Sequence, residues 1–514
     1  MYEQKKISGI LKMILSPIIF WFFARALGSM SFFSCSLFFY FAYKIKGKPF
    51  RFSRILFPFS IFAGVFFVLR NYTVYRGQLY NTLIYLTVLC IVIIWHVLKK
   101  SGKIAVLPGK HYEFLYPILI LALFLRLFFI IKAPIQPITS DCAAYHDYAL
   151  NLLNNNEFRH GNLKADRPPL YPFFLCCIYK VFGVKQVPVY LIQALLDTIT
   201  VLMVFFMGTW AINPRAGLLA SFLAALHPYL ILLTRIYFTQ TLATFLLVAS
   251  FLCLTYILCK NRNGGQKRYK NDFLLFVSGA FLGLSTLAHP DPIALPAMVI
   301  IVFIAVFWKE KGKIIRYSFI YSMGFLITLS PWMIRNYMVF KKVVSVTTRS
   351  GLAFVVGNYM PTKGLVPNRE EIREDLFEKT WVTEGEVNSN KILMKKGIEN
   401  IKNYIKTNPE GYIQFLRLKF TRLWKIPLKN VNRKYNVPYD FKVVFHRFLN
   451  FFVIAGFFFS YRYLKQLLPS LLLLLYWTVI HLAVHALPVY AVPAIPFLIL
   501  FASLGIISTA EIMD

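Results

Sequence analysis

Phe114–Ile131 reads FLYPILILALFLRLFFII, and this stretch decides the fold class. It is apolar throughout except for Arg126. At about 1.5 Å of helical rise per residue, a run of this length spans most of a ~30 Å hydrocarbon layer. Similar runs lie on both sides of it. Upstream are Leu11–Leu27, Gly28–Tyr43, Ile55–Leu69 and Leu79–Leu98. Downstream are Val189–Trp210, Gly217–Leu233, Leu242–Cys259, Phe273–Leu287, Ile293–Trp308, Ile314–Met333, Val443–Phe459, Leu467–His485 and Val489–Ile507. The expectation is an all-α polytopic membrane protein with about 13–14 transmembrane helices. Leu11–Leu27 and Gly28–Tyr43 read either as a hairpin or as one long tilted helix. Pro169–Val181 is apolar but short, and reads as interfacial or re-entrant.

Composition agrees. Of 514 residues, 58% are hydrophobic and only 15% charged, where a soluble chain carries roughly a quarter charged. The formal charge of +35 suggests nucleic acid at first sight. Its lysines and arginines sit mainly in the gaps between apolar runs, which the positive-inside rule explains without a nucleic-acid partner. Six of the seven cysteines (Cys35, Cys90, Cys176, Cys177, Cys253 and Cys259) lie inside apolar segments, giving neither a disulfide framework nor zinc spacing. The first apolar stretch has no small-residue cleavage site, so no cleavable signal peptide is expected.

The gaps Lys44–Arg54, Lys99–Lys110, Lys260–Lys270 and Lys309–Arg316 are rich in Lys and Arg and fall on one side. That side is expected to be cytoplasmic. Lys132–Pro168, Ile334–Asp440 and the Ala486–Pro488 turn then face outward, in a cell membrane. Four zones follow. Residues 1–110 form a transmembrane extension, and residues 111–334 a transmembrane core whose first outer loop is 132–168. Residues 335–440 form a mixed outer segment, and 441–514 the last transmembrane helices. Pro409–Trp424 reads as a helix lying on lipid headgroups through Arg417, Lys419 and Arg422.

The first outer loop carries TSDCAAYHDYALNLLNNNEFRHGNLKADRPPLYP from Thr139. Thr139 or Ser140 is placed to cap a helix starting at Asp141. Asp141, Tyr145, Tyr148 and Leu152 then share one face, while Asp147 points about 240° away. Asp141 is either a general base or merely a charge favouring a helix N-terminus. Arg167, held extended before Pro168 and Pro169, is either a phosphate clamp or a residue snorkelling to headgroups. Further outer-edge candidates are Arg235, Gln240, His289 and Asp291, Arg335, Asn358, His485 and Tyr490. His227-Pro228 reads as a kinked helix. Arg126 and Asp197, inside apolar runs, are expected to pair or to border an aqueous cavity.

These residues lie in a recognisable order: TSDCAAYHDYALNLL, RPPLYPFFLCCIYKVFG, LAALHPYLILLTRIYFTQTLATFLL, SPWMIRNYMVF, GLAFVVGNYMPTKG and PVYAVPAIPFLILFASLG. Over about residues 111–510 the chain resembles the GT-C membrane glycosyltransferases, nearest the protein O-mannosyltransferase and lipid-A aminoarabinose transferase group. The resemblance implies an extracytoplasmic site and inverting transfer from a polyprenyl-phosphate-linked sugar to an acceptor that is a protein, a lipid or a polysaccharide. It implies that Asp141 is the catalytic aspartate and that Arg167 contacts the carrier phosphate. Tyr145, Tyr148, Gln240, His289, Arg335, Asn358 and Tyr490 are the accompanying substrate-side candidates. The chain departs from the family at Cys142 and Gln240, where acidic residues are frequent, and at Val489, where an Arg is frequent. No metal site and no cofactor are therefore expected, although a divalent ion is left open. A transporter or flippase of lipid-linked sugars, and an O-antigen ligase or polymerase type of enzyme, are the rival readings.

Overall fold

The computed structural model describes residues 112–132, 137–260, 268–365, 379–424 and 439–513. The four expected spans between Leu11 and Leu98, the 1–110 extension and the basic gaps Lys44–Arg54 and Lys99–Lys110 lie outside the described residues. So does most of the Lys260–Lys270 gap.

The chain is a succession of helices: α1 Leu115–Lys132, α2 Asp141–Asn155, α3 Leu170–Phe182, α4 Gln186–Ala211, α5 Pro214–Leu226, α6 Pro228–Leu233, α7 Gln240–Lys260 and α8 Arg268–Ala288. There follow α9 Leu295–Phe307, α10 Lys311–Phe340, α11 Ser350–Gly357, α12 Lys379–Thr407, α13 Pro409–Trp424, α14 Tyr439–Phe459, α15 Leu464–Ala483 and α16 Ile495–Met513. Among the described residues seven segments are long and apolar enough to cross a membrane: Leu115–Lys132, Gln186–Ala211, Gln240–Cys259, Tyr269–Ala288, Lys311–Phe340, Phe445–Ala483 and Pro488–Ile512. Phe445–Ala483 runs through α14, the 3-10 turn Ser460–Tyr463 and α15, which are two of the expected spans.

Two expected spans are remodelled. Gly217–Leu233 is broken into α5 and α6 at His227, because Pro228 has no N–H and opens a new helix. Ile293–Trp308 starts as a 3-10 turn, Asp291–Ala294, and continues as the 13-residue α9. At about 1.5 Å per residue that helix reaches only ~20 Å. Pro169–Val181 is the 13-residue α3, short as expected.

The break at Pro228 explains the buried charge. The α5 carbonyls lose their next-turn donor there, and Arg126 supplies it. Its Nη1 donates to Ala225 O at 3.2 Å and to Ala122 O at 2.7 Å, and its Nη2 donates to Ala224 O at 3.5 Å. Asp197 from α4 accepts from Arg126 Nε at 2.6 Å. The expected pairing of Arg126 with Asp197 is thus present, with both side chains buried. It ties α1, α4 and α5 into one unit. At the other end of the chain, α14 and α16 touch backbone to backbone. A Cβ on Gly456 would collide with Phe501 O, and one on Gly505 with Phe452 O. Small residues permit such contact between helices in an apolar medium.

Removing one partner of the α1–α4 pair leaves a buried charge uncompensated, which typically costs about 3–5 kcal/mol. Arg126→Met should therefore lower the melting temperature of purified protein well below that of the double variant Arg126→Met/Asp197→Leu. Equal melting of the two variants would contradict this account of the pair.

Candidate active site

Helix α2 begins at Asp141 as expected, but the cap differs. Ser140 adopts φ 56° and ψ −132°, and its hydroxyl makes no capping bond. The positive φ turns that side chain away, and the Ser140 carbonyl instead accepts from Ala143 N at 3.0 Å and Ala144 N at 3.4 Å. The negative charge of Asp141 at a helix N-terminus is favourable in its own right. Tyr145 and Tyr148 are buried on the core side of α2, while Asp147 points away and meets His160 Nδ1 at 3.2 Å.

After α2 the loop folds back. Phe158 stacks on Tyr148 with ring centroids 4.4 Å apart and meets Trp332 edge-on at 4.8 Å. His160 and Leu163 close a short backbone bridge. This return brings Asp166 and Arg167 beneath the start of α2. Arg167 Nη2 donates to Asp141 Oδ1 at 2.6 Å, and its guanidinium lies 5.2 Å from the centre of the Tyr145 ring. Arg167 Nε stands 3.7 Å from Asp166 Oδ2. Arg349 completes the group: its Nη1 donates to Asp166 Oδ2 at 2.8 Å, and its Nη2 is 4.0 Å from Asp141 Oδ1. Four charges alternate in sign around a ring. Asp166 is buried and also accepts from the Tyr148 hydroxyl at 3.3 Å. Asp141 and Arg349, by contrast, are 48% and 37% exposed, so the ring opens to solvent along the Asp141–Arg349 edge.

The electrostatics follow. Partial burial by itself raises the Asp141 carboxyl, but the charges of Arg167 and Arg349 and the Arg167 hydrogen bond outweigh it and hold the pKa below the ordinary value. Burial by itself would lower Arg167, and Tyr145, Asp141 and Asp166 overcome it, so the guanidinium stays firmly charged. Burial pushes the Tyr145 phenol up. Asp141 is thus an ionised carboxylate whose basicity is held down by its partner.

The outer segment clamps this arrangement. Glu386 on α12 accepts from Lys164 N at 2.9 Å, Ala165 N at 2.8 Å and Thr348 Oγ1 at 2.6 Å. Thr348 N donates to Ala165 O at 2.9 Å, and Thr347 Oγ1 donates to Asp166 O at 2.7 Å. Arg335 Nη1 donates to Lys164 O at 2.8 Å, and its Nη2 donates to Phe158 O at 3.2 Å. Arg335 therefore shapes the loop rather than facing an open space.

A second polar group lies around the last outer turn. Asp291 Oδ2 is 3.0 Å from His289 Nδ1 and 3.3 Å from His481 Nε2. Tyr490 stacks on His481 at 5.5 Å, with His485 and His289 rings at 5.6 and 6.0 Å. The Tyr490 phenol interacts electrostatically with Asp141, Arg167 and Asp291, which links the two groups. Asn358 is buried and occupied: Nδ2 donates to Ala483 O at 2.8 Å, and Oδ1 accepts from Lys419 Nζ at 3.3 Å. Lys419 is not a headgroup ligand as expected. It turns inward on the buried face of α13, where Nζ also donates to Val484 O at 3.3 Å. Desolvation, with the nearby charge of Arg422, pushes its pKa down to about 7. Gln240 is buried at the start of α7, and its Oε1 has no hydrogen-bond partner among the described residues.

The structure thus brings Asp141, Tyr145, Tyr148 and Arg167 together, with Tyr490 nearby. Sequence reasoning missed Asp166, Arg349, Glu386 and His481. The adjacency of Asp166 and Arg167 in KADRPP was a usable signal, since a buried Arg in a loop needs a counter-charge. Among the described residues no group of three or more His, Cys, Asp or Glu side chains is placed to hold a metal ion.

Residues 166–334 match the family model for dolichyl-phosphate-mannose-protein mannosyltransferases. The match starts one residue before Arg167 and ends one before Arg335, so Asp141 lies outside it. Among solved structures, the oligosaccharyltransferase AglB of Archaeoglobus fulgidus in complex with an inhibitory peptide and a dolichol-phosphate is similar at 14% identity and a TM-score of 0.49. The alignment covers 78% of this chain and 51% of that one, so the chain spans about half the length of the archaeal enzyme. ArnT from Cupriavidus metallidurans bound to undecaprenyl phosphate is similar at 12% identity and a TM-score of 0.38, over 77% of this chain and 78% of that one. No curated protein matches. The family match covers about a third of the chain.

If Glu386 fixes the loop beneath Asp141, Glu386→Gln removes a charged acceptor from three donors. The expected loss is about 1–3 kcal/mol. Thermal unfolding in detergent should reveal it, with the exposed Glu384→Gln as a near-neutral control. Indistinguishable unfolding of the two variants would rule out the clamp.

Proposed function

We propose that this protein is an inverting glycosyltransferase that moves a sugar from a polyprenyl-phosphate donor to an acceptor hydroxyl or amine outside the cytoplasm. The observation that carries the reading is the Asp141–Arg167 pair. An ionised, half-open carboxylate sits 2.6 Å from a buried guanidinium backed by a second carboxylate. The mannosyltransferase family match over residues 166–334 supports the same chemistry, as does the resemblance of the first-loop sequence.

The reaction requires two things of the protein. The C1–O bond to the carrier phosphate breaks, and the departing phosphate needs a cation. Arg167 supplies it through a planar fork that suits phosphate oxygens. The new C1–O or C1–N bond forms as the acceptor attacks from the opposite face, and the acceptor's proton passes to Asp141. Positive charge builds at C1 in between, as in other glycosyl reactions. The carrier leaves as polyprenyl phosphate, and the sugar inverts at C1.

The basic gaps Lys44–Arg54, Lys99–Lys110, Lys260–Lys270 and Lys309–Arg316 support the side of the membrane proposed here. Helix α10 joins the last of these gaps to the site: its 30 residues reach about 45 Å, with Lys311, Lys313 and Arg316 at one end and Arg335, followed by Lys341 and Lys342, at the other. Arg335 touches the loop that carries the site. The positive-inside rule, applied to the four gaps together, assigns the Lys309–Arg316 end to the cytoplasm and so supports an extracytoplasmic site. A transporter reading asks for charges with free valences deep in the spans. The buried pair of Arg126 with Asp197 has its guanidinium committed to three backbone carbonyls.

Asp141→Asn keeps the polar shape at the helix start without its charge and removes the proton acceptor, so transfer per folded protein should fall 10²–10⁴-fold. Asp147→Asn should stay near the parent rate. A dead Asp147→Asn beside an active Asp141→Asn would assign the base elsewhere.

A further inference from the structure

The ring of four charges has two contacts beyond hydrogen-bond reach, and one of them faces solvent. Arg349 Nη2 stands 4.0 Å from Asp141 Oδ1 and Arg167 Nε 3.7 Å from Asp166 Oδ2, whereas the other two guanidinium contacts are hydrogen bonds of 2.6 and 2.8 Å. The Asp141–Arg349 contact is the exposed one, whereas Arg167 and Asp166 are buried. Asp166 is committed on all sides, to Arg349, to Arg167 and to the Tyr148 hydroxyl. It therefore holds Arg349 by a hydrogen bond at Nη1 and Arg167 by charge at Nε, while the Nη2 nitrogens of both lie on the Asp141 side. Arg349 is fixed there from its backbone as well: it lies at the start of α11, its N–H donates to Thr347 Oγ1 at 3.2 Å, and Thr347 is itself bonded to Asp166 O.

We propose that Arg349 is a second guanidinium for the carrier phosphate, and that this phosphate, seated between Arg349 and Arg167, takes Arg167 away from Asp141 and so unmasks the base. The inference rests on the glycosyltransferase reading above and deepens it. A phosphate oxygen and a carboxylate oxygen compete for the same N–H donors. Without donor, Asp141 occupies Arg167 and its basicity is held down by that pairing. With donor bound, the guanidiniums turn to the phosphate. The partial burial of Asp141, no longer offset, then favours its taking a proton. The base becomes competent only when the leaving group is in place. The buried Asp166 stays behind as the fixed counter-charge that keeps two guanidiniums side by side against their mutual repulsion.

Binding tests this apart from turnover. The probe is undecaprenyl phosphate, with undecaprenol as the uncharged control, titrated against protein in nanodiscs of zwitterionic phosphatidylcholine and read by native mass spectrometry. The parent should prefer the phosphate. Arg349→Ala should weaken phosphate binding at least about tenfold, a loss of about 1.4 kcal/mol, and leave undecaprenol unchanged. Arg349→Lys should fall between, because it keeps charge without the fork. Asp141→Asn should bind undecaprenyl phosphate more tightly than the parent, since the internal competitor for Arg167 is gone; a merely structural role for the ring predicts no tightening. Repeating the titration with phosphatidylglycerol in the nanodiscs tests bilayer headgroups as the phosphate source. There the ratio between parent and Arg349→Ala must persist, and its loss would make the site a general headgroup contact and overturn the proposal. A parent with no preference for the phosphate over the alcohol would defeat the glycosyltransferase reading itself. A parent with that preference, but with Arg349→Ala binding like the parent or Asp141→Asn failing to tighten, would overturn this inference alone.

Discussion

Everything at the candidate site depends on one buried carboxylate. Asp166 is 2% exposed, and burying it unpaired would be prohibitive. It is held by Arg167, Arg349 and the Tyr148 hydroxyl, which come from three separate parts of the chain: the end of the first loop, the outer segment and helix α2. Satisfying that one charge therefore assembles the site. It draws the outer segment down onto the loop, fixes the loop beneath α2, and sets Arg167 under Asp141. The backbone bonds from Thr347, Thr348 and Glu386 follow the same seam.

The apolar part of the molecule obeys the same rule with different groups. Pro228 breaks a helix inside the apolar phase, so the Ala225 carbonyl, and the Ala224 carbonyl held only by His227 N at 3.3 Å, take further donors there. Arg126 provides them and Asp197 balances its charge. This polar cluster is closed on itself, with donors and acceptors matched. The ring at Asp141 is open to solvent on one side, at the Arg349 contact. Closed clusters of this kind hold helices together, and an open one has valences left for a ligand.

Much of this was legible in the sequence. The helices, their positions and the membrane class follow from the length and spacing of apolar runs. The shared face of Asp141, Tyr145 and Tyr148 follows from helical periodicity. The pairing of Arg126 with Asp197 follows from the cost of two charges in apolar runs. Less was legible where a tertiary contact overrides a local rule. Ser140 fails to cap because its backbone takes a positive φ at the loop entry. Lys419 looks like a headgroup ligand on an amphipathic helix, yet it turns inward because Asn358 and the Val484 carbonyl offer acceptors there. Arg349 stands alone in an unremarkable TTRSG stretch, and only the fold brings it across 183 positions to Asp166. Span counts also overreach at Gly217–Leu233 and Ile293–Trp308, where internal prolines restart the helix in a way that hydropathy does not register.

The central claim is that this protein transfers the sugar itself rather than moving an intact lipid-linked sugar. Purified protein in liposomes, given a polyprenyl-phosphate sugar labelled in the sugar ring and an acceptor extract from the same envelope, separates the two. The account predicts release of free polyprenyl phosphate together with label on the acceptor, and with the configuration at C1 inverted. Label that crosses the bilayer still attached to its lipid phosphate, with no free carrier formed, would contradict it.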